Sequence, residues 1–192
     1  MPLHLVQTVA PVIDPVSLIE VKQHLRITHD DEDALLAFYV LAAQEYAERT
    51  TRRQLLTATY TLGLNAFPAC RMLPLPRPPL QSVTSVTYLD TSGASQTLAT
   101  TGYSVVTTSE PGYLALKYSQ SWPSTYSQAQ AITITYVAGW ASYSAVPSLL
   151  KMALFLLVGH FYEHREATIE KALQMIPYGV NNLLWLHRAE VI

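Results

Sequence analysis

The chain has 192 residues, a formal net charge of −2 and a single cysteine, Cys70. That length suits one domain, or one domain carrying an inserted subdomain, and it buries a core without covalent staples. The charge excludes the basic footprint of a protein that grips nucleic acid, and the lone cysteine excludes an internal disulfide or a cysteine metal cluster. Charged residues make up only 14% of the chain against 49% apolar, well below the usual quarter. A surface this short of charge favours partners that cover part of it, the alternative being a monomer with a Ser/Thr-rich surface. No signal peptide is expected, because no basic stretch leads into an apolar one at the start. The most apolar run, residues 149–162, contains Lys151 and His160 and is shorter than the ~20 residues a bilayer span needs.

Residues 1–15 read as an extended arm, because Pro2, Pro11 and Pro15 forbid a continuous helix. A short helix is predicted over 17–24, opened by a capping box of Ser17 and Glu20. Asp30 and Asp31 offer acceptors and negative charge to the start of a second helix over 31–51. Leu35, Leu36, Tyr39, Ala42, Ala43 and Tyr46 recur there at three- and four-residue spacing, the mark of one buried stripe. Thr50 and Thr51 weaken the helix, and Arg52 and Arg53 suit its C-terminal dipole.

The texture changes at Gln54. Short runs rich in Thr, Val and Tyr predict strands at 57–64, 82–90, 95–98, 103–106, 113–117 and 131–137. Asp90-Thr91-Ser92-Gly93 reads as a hairpin turn. The run from Pro74 to Pro79 reads as a rigid extended connector and cannot be a central strand. Helical texture returns at Pro147 and Ser148 with a helix to about residue 164 that is apolar on nearly every side, so it must be covered on nearly every side. A linker follows, then a last helix over 177–188.

The expected fold class is α+β: a helical core of about four helices with an inserted antiparallel β subdomain. The chain is expected to divide into an extended N-terminal arm (1–15), a first helical segment of the core (16–53), a β-rich insertion (54–140), and a second helical segment of the core that includes the C-terminal helix (141–192).

His160, Glu163 and His164 spell the H-x-x-E-H of inverted zinc peptidases, with both histidines on one helical face. Such enzymes need a third ligand downstream, and Glu166, Glu170 and Glu190 are the sole later carboxylates. The favoured reading is a helix end that turns polar as it leaves the core; the alternative is a zinc hydrolase. The acidic run from Asp30 to Asp33 lacks the alternation and glycine of a calcium loop. No G-x-S-x-G elbow and no glycine-rich phosphate loop occurs. No catalytic residue, cofactor or metal is therefore assigned, and the chain is not expected to be an enzyme. Arg49, Arg52 and Arg53 form the one basic cluster, a candidate for weak DNA or subunit contact. Leu183, Leu184 and Trp185 on the last helix, with Tyr118, Trp122 and Tyr126 in a Ser/Gln-rich segment, are candidate interface residues, since Tyr and Trp bury large area while keeping a polar tip; for the three aromatics of the Ser/Gln-rich segment, core filling between strands is the equal alternative.

Four stretches carry a resemblance to a known family. They are the capped helix-turn-helix from Val16 to Leu36, Leu73-Pro74-Leu75-Pro76-Arg77-Pro78-Pro79-Leu80-Gln81-Ser82-Val83, Tyr118-Ser119-Gln120-Ser121-Trp122-Pro123, and Ile134-Thr135-Tyr136-Val137-Ala138-Gly139-Trp140 followed by Val146-Pro147. In this order, and over nearly the whole chain, they resemble the head–tail connector (adaptor) proteins of tailed bacteriophages. The resemblance implies a structural protein of the virion neck, made in the host bacterial cytoplasm. It implies a ring, commonly of twelve copies, that docks below the portal protein, extends the channel for double-stranded DNA without sequence-specific binding, and receives a stopper or tail-completion protein. No membrane is involved. The alternative within the same assembly is another neck component, a stopper or tail-end ring protein. On this expectation the arm before Asp14 and the end after Pro177 gain structure on docking.

Overall fold

The structure, a computed structural model, describes residues 4–164 and 178–190. Among them are four α-helices and two antiparallel sheets, so the fold is α+β. The predicted linker beyond His164 and the start of the last helix lie outside the described residues.

The helices are α1 (Leu18–Leu25), α2 (Asp33–Thr51), α3 (Ser148–Glu163) and α4 (Tyr178–Trp185). The capping box forms as expected: the Glu20 amide donates to Ser17 Oγ at 3.3 Å, and the Ser17 amide donates to Glu20 Oε2 at 3.0 Å. The expected acidic caps of α2 do not form. Its N-cap is Glu32, without a side-chain cap bond. Asp33 and Asp30 turn instead to the Lys22 ammonium, Asp33 at 2.8 Å, so the run ties α1 to α2. The α2 stripe is buried at Leu36, Val40, Ala43 and Ala47. These pack with Val21 of α1, Leu150, Leu154 and Leu157 of α3, and Val180 and Leu184 of α4 into one helical core. No described helix is long and apolar enough to cross a membrane.

The strands are β1 (His4–Val9), β2 (Ala58–Leu64), β3 (Met72–Pro74), β4 (Leu80–Leu89), β5 (Ser95–Thr97), β6 (Tyr103–Val106), β7 (Tyr113–Leu116) and β8 (Ile132–Ala138). One sheet runs β1-β2-β8-β4-β5 and the other β3-β7-β6. In β8 buried and half-buried residues alternate strictly, which is the period of a pleated strand. Its inward residues Ile132, Ile134 and Tyr136 meet Leu62, Val86 and Leu114 in a second core. The Asp90 turn is as expected: Asp90 Oδ1 accepts from the Ser92 amide at 2.9 Å and the Ala94 amide at 3.1 Å, with Gly93 at φ +85°.

The extended N-terminal arm is tied to the sheet: His4–Val9 is a strand, paired with β2 from His4↔Gly63 to Val9↔Thr59. The run between Pro2 and Pro11 is proline-free and of ordinary strand length, so it joins the sheet at an edge. The proline-rich connector keeps out of any central strand, as expected: β3 ends at Pro74 and lies at the edge of its sheet, paired with β7 alone.

Candidate functional site

The outward faces of the helices carry unpartnered apolar residues. On α2, Phe38 is 63% and Leu41 58% exposed. Both lie opposite the buried stripe, where an amphipathic helix carries polar residues. On α3, Leu149, Met152 and Leu156 are exposed in the same way. Among the described residues, the helix predicted to be apolar on nearly every side thus leaves Leu149, Met152 and Leu156 uncovered. Where α2 and α3 meet, Phe38, Tyr39, Ala42, Phe161 and His164 line a shallow cleft of about 230 Å³.

His160 and His164 sit at the lip of that region, their rings 4.7 Å apart. Burial, then the neighbouring His164, pushes the His160 pKa below the usual histidine value. Among the described residues no group of three potential ligands is close enough to hold a metal ion.

The remaining candidates separate. Leu183 packs half-buried against the helical core and Leu184 is fully buried in it. A docked α4 therefore presents neither Leu184 nor most of Leu183 to a partner, which corrects the expected trio. Trp185 does face outward, 60% exposed, with the Arg188 guanidinium 4.3 Å above its ring. Tyr46 Oη donates to Asn181 Oδ1 at 2.9 Å and helps hold α4 on α2. In the Ser/Gln-rich segment Tyr118 and Tyr126 are exposed. Trp122 is not a free anchor: it stacks on Phe67 at 4.8 Å with rings 4° from parallel, and its Nε1 donates to the Cys70 carbonyl at 2.9 Å.

The arginine cluster divides in three. Arg49 is exposed and pairs with Glu45 one turn earlier at 2.8 Å. Arg52 closes α2 in the left-handed conformation and is exposed. Arg53 is buried and pairs with Glu110 at 2.6 Å. It is a structural cation, and no shared basic patch results.

Sequence reasoning missed a polar seam between the two cores. Glu48 Oε1 accepts from Gln44 Nε2 at 3.0 Å, Gln54 Nε2 at 2.9 Å and the Leu55 amide at 3.2 Å. Gln54 is fully buried; its Oε1 accepts from Tyr60 Oη, and its amide donates to the Pro78 carbonyl at 3.1 Å. Arg77 Nη1 donates to the Glu48 carbonyl at 2.8 Å, and Tyr136 Oη donates to the Pro76 carbonyl at 2.8 Å. Burial raises the Glu48 carboxyl pKa above its ordinary value, against the opposing pull of Gln44, the Leu55 amide and Arg77. Burial also pushes Tyr60 up to about 12. Beside this seam, Leu5, Gln7 and Tyr60 of the sheet face Glu45, Glu48 and Arg49 of α2, with Arg77, across a cleft of about 240 Å³. The available signal was Gln44 and Glu48, polar residues lying one turn apart along the inward side of α2.

A family model described as "Head completion protein" matches residues 16–189. No curated protein matches the chain. Among solved structures, the virion of a native gene transfer agent (GTA) particle holds a similar chain: 28% identity, TM-score 0.78, covering 98% of this chain and 96% of that one. The neck of an empty GTA particle with C6 symmetry holds one at 28% identity and TM-score 0.79, covering 100% and 97%. The neck of a native GTA particle with C12 symmetry holds one at 26% identity and TM-score 0.77, again covering 100% and 97%.

Proposed function

The chain belongs to the head completion protein family, and from that premise we propose that it is a structural component of the neck of a phage or phage-like particle, forming a closed ring between portal and tail. The observation that carries this reading is the match over essentially the whole chain to proteins seated in the neck of a phage-like particle. The C12 symmetry of one such neck supports twelve copies.

In this reading the helical segments, 16–53 and 141–192, carry the ring contacts, and 54–140 is a β insertion facing the next neck protein. Ring closure needs two different patches on each copy, because cyclic contacts are head-to-tail. The α2 face at Phe38 and Leu41 and the α3 face at Leu149, Met152 and Leu156 supply two such patches. The net charge of −2 suits a conduit for double-stranded DNA, since each phosphate contact would add salt-dependent grip and slow passage. Its role is assembly, not catalysis. Cryo-electron microscopy of assembled particles tests the proposal: a ring of this chain at the neck is expected, and a single copy or no density for it there sinks it.

A further inference from the structure

Among the described residues the two cores have no member in common. Leu55, Leu56, Val146 and half-buried Trp140 pack with the helices, whereas Ala58 and Ala138 pack with the strands. The changeover therefore falls on one residue in each crossing of the chain, Thr57 and Gly139. The two crossings run side by side, since Leu56 and Trp140 form an isolated bridge.

What ties the two units together beside that line is polar. Tyr60 Oη donates to Gln54 Oε1, the Gln54 amide to the Pro78 carbonyl, Arg77 to the Glu48 carbonyl, and Arg53 pairs with Glu110. Water can replace such bonds at a net cost of about 0.5–1.5 kcal/mol for a neutral one and more for the ion pair. Elsewhere Leu5 and Gln7 of the sheet face Glu45 and Arg49 of α2 across the cleft of about 240 Å³. Units joined through a polar interface, without a shared apolar core, move relative to one another as their ordinary behaviour.

Gln81 is placed to control that motion. The register of β4 on β8 shifts between Leu80 and Ser82, so Gln81 is the extra residue of a bulge, a device that re-aims a side chain. Its Nε2 donates to Thr57 Oγ1 at 2.8 Å and to the Gly139 carbonyl at 2.7 Å. One amide thus clasps both changeover residues. Thr57 Oγ1 donates in turn to the Trp140 carbonyl at 3.3 Å.

We propose that Thr57 and Gly139 form a hinge on which the β unit swings against the helices, with the bulged Gln81 as the clip that sets its stiffness. The pair of Arg53 with Glu110 tethers the swing, and the cleft between Gln7 and Glu45 opens and closes with it. On the neck reading above, the helices stay fixed in the ring while the β unit re-aims toward the next neck protein.

Spin labels at Gln7 and Glu45, on opposite walls of the cleft, test the hinge in the full chain with Cys70→Ser removing its single native thiol. A second pair at Gln7 and Gln96, on the two outer strands of one sheet, is the control. Paramagnetic resonance should give a distance distribution at least about twice as broad across the cleft as within the sheet. Gln81→Leu, and Thr57→Val from the acceptor side, should each broaden the cleft distribution further and leave the control unchanged. Equal widths for the two pairs in the parent overturn the hinge. A cleft distribution that neither variant alters, or broadening of the control as well, overturns the role of Gln81. In particles carrying the next neck protein the cleft distribution should narrow to the control width. An unchanged width there overturns the re-aiming and leaves the hinge standing. Absence of the chain from the neck overturns the functional reading instead.

Discussion

Arg53 Nη2 lies 2.6 Å from Glu110 Oε2, joining residues 57 positions apart. The same guanidinium donates through Nε to the His187 carbonyl. One side chain therefore holds together the end of α2, the loop between β6 and β7, and the chain just beyond α4. Nearby, the Ala189 amide donates to the Thr51 carbonyl at 2.8 Å. The helical core and the small sheet are locked where the chain crosses between them.

Glu110→Gln should cost about 1–3 kcal/mol, because it leaves a cation that is only 10% exposed without its counter-charge. Glu110 itself is half exposed, which keeps the loss below that of a wholly buried pair. Urea unfolding of parent and variant measures it. Coincident midpoints would mean that water, not Glu110, satisfies Arg53.

Glu48 gives a pH dependence of known sign. Burial raises its folded pKa, so the native state holds the proton more tightly than the unfolded chain. Its contribution is fully present below the ordinary glutamate pKa and is lost as pH rises through the raised folded value. Glu48→Gln keeps an Oε1 acceptor for Gln44, Gln54 and the Leu55 amide while removing the desolvated charge. The variant should be at least as stable as the parent at pH 7.5, and its advantage should shrink as pH falls toward 4.5. Denaturant midpoints at the two pH values check this; an advantage that grows on acidification contradicts it.

How much of this was legible depends on the range of each interaction. The Ser17–Glu20 box, the Asp90 turn and the alternation in β8 are local, and their residue patterns state them directly. The split of the last helix was also within reach. Leu183, Leu184 and Trp185 are consecutive, and at about 100° per residue they cannot share one face; the structure buries Leu184 and exposes Trp185. The strand β1 was obscured by its flanking prolines, and its partner begins at Ala58. Arg53 with Glu110 was not legible at all: a polar pair distant in sequence leaves no periodic trace, and an arginine near a helix end looks the same whether solvated or buried. Gln54 with Tyr60 is close in sequence, but the six-residue spacing spans the turn from α2 into β2 and belongs to neither a helical nor a strand period.

Gly139 tests the joint between the two cores. Its φ is +102°, and a Cβ there would lie 2.3 Å from the Leu56 carbonyl oxygen. Its amide donates to the Pro79 carbonyl at 2.8 Å, and its carbonyl accepts from Gln81 Nε2 at 2.7 Å. The backbone is thus held on both sides and cannot move away. Gly139→Ala should destabilise by at least about 3 kcal/mol, from left-handed strain and the clash together. Thermal unfolding of the purified variant decides, and a midpoint within a degree of the parent would show that the joint yields.

The last prediction concerns the ring face. Phe38 and Leu41 are 63% and 58% exposed in the single chain, so replacing both with serine removes few native contacts. The Phe38→Ser/Leu41→Ser double variant should unfold within about 0.5 kcal/mol per site of the parent, as surface changes do. On the proposed ring arrangement the same residues would bury apolar area against a neighbouring copy, and losing two large side chains from such a patch is a hot-spot loss of about 2 kcal/mol or more per contact. Multiplied around a closed ring, that loss should abolish neck assembly while the free protein stays folded. Normal rings from the double variant, seen by electron microscopy of particles, would move the contact away from α2.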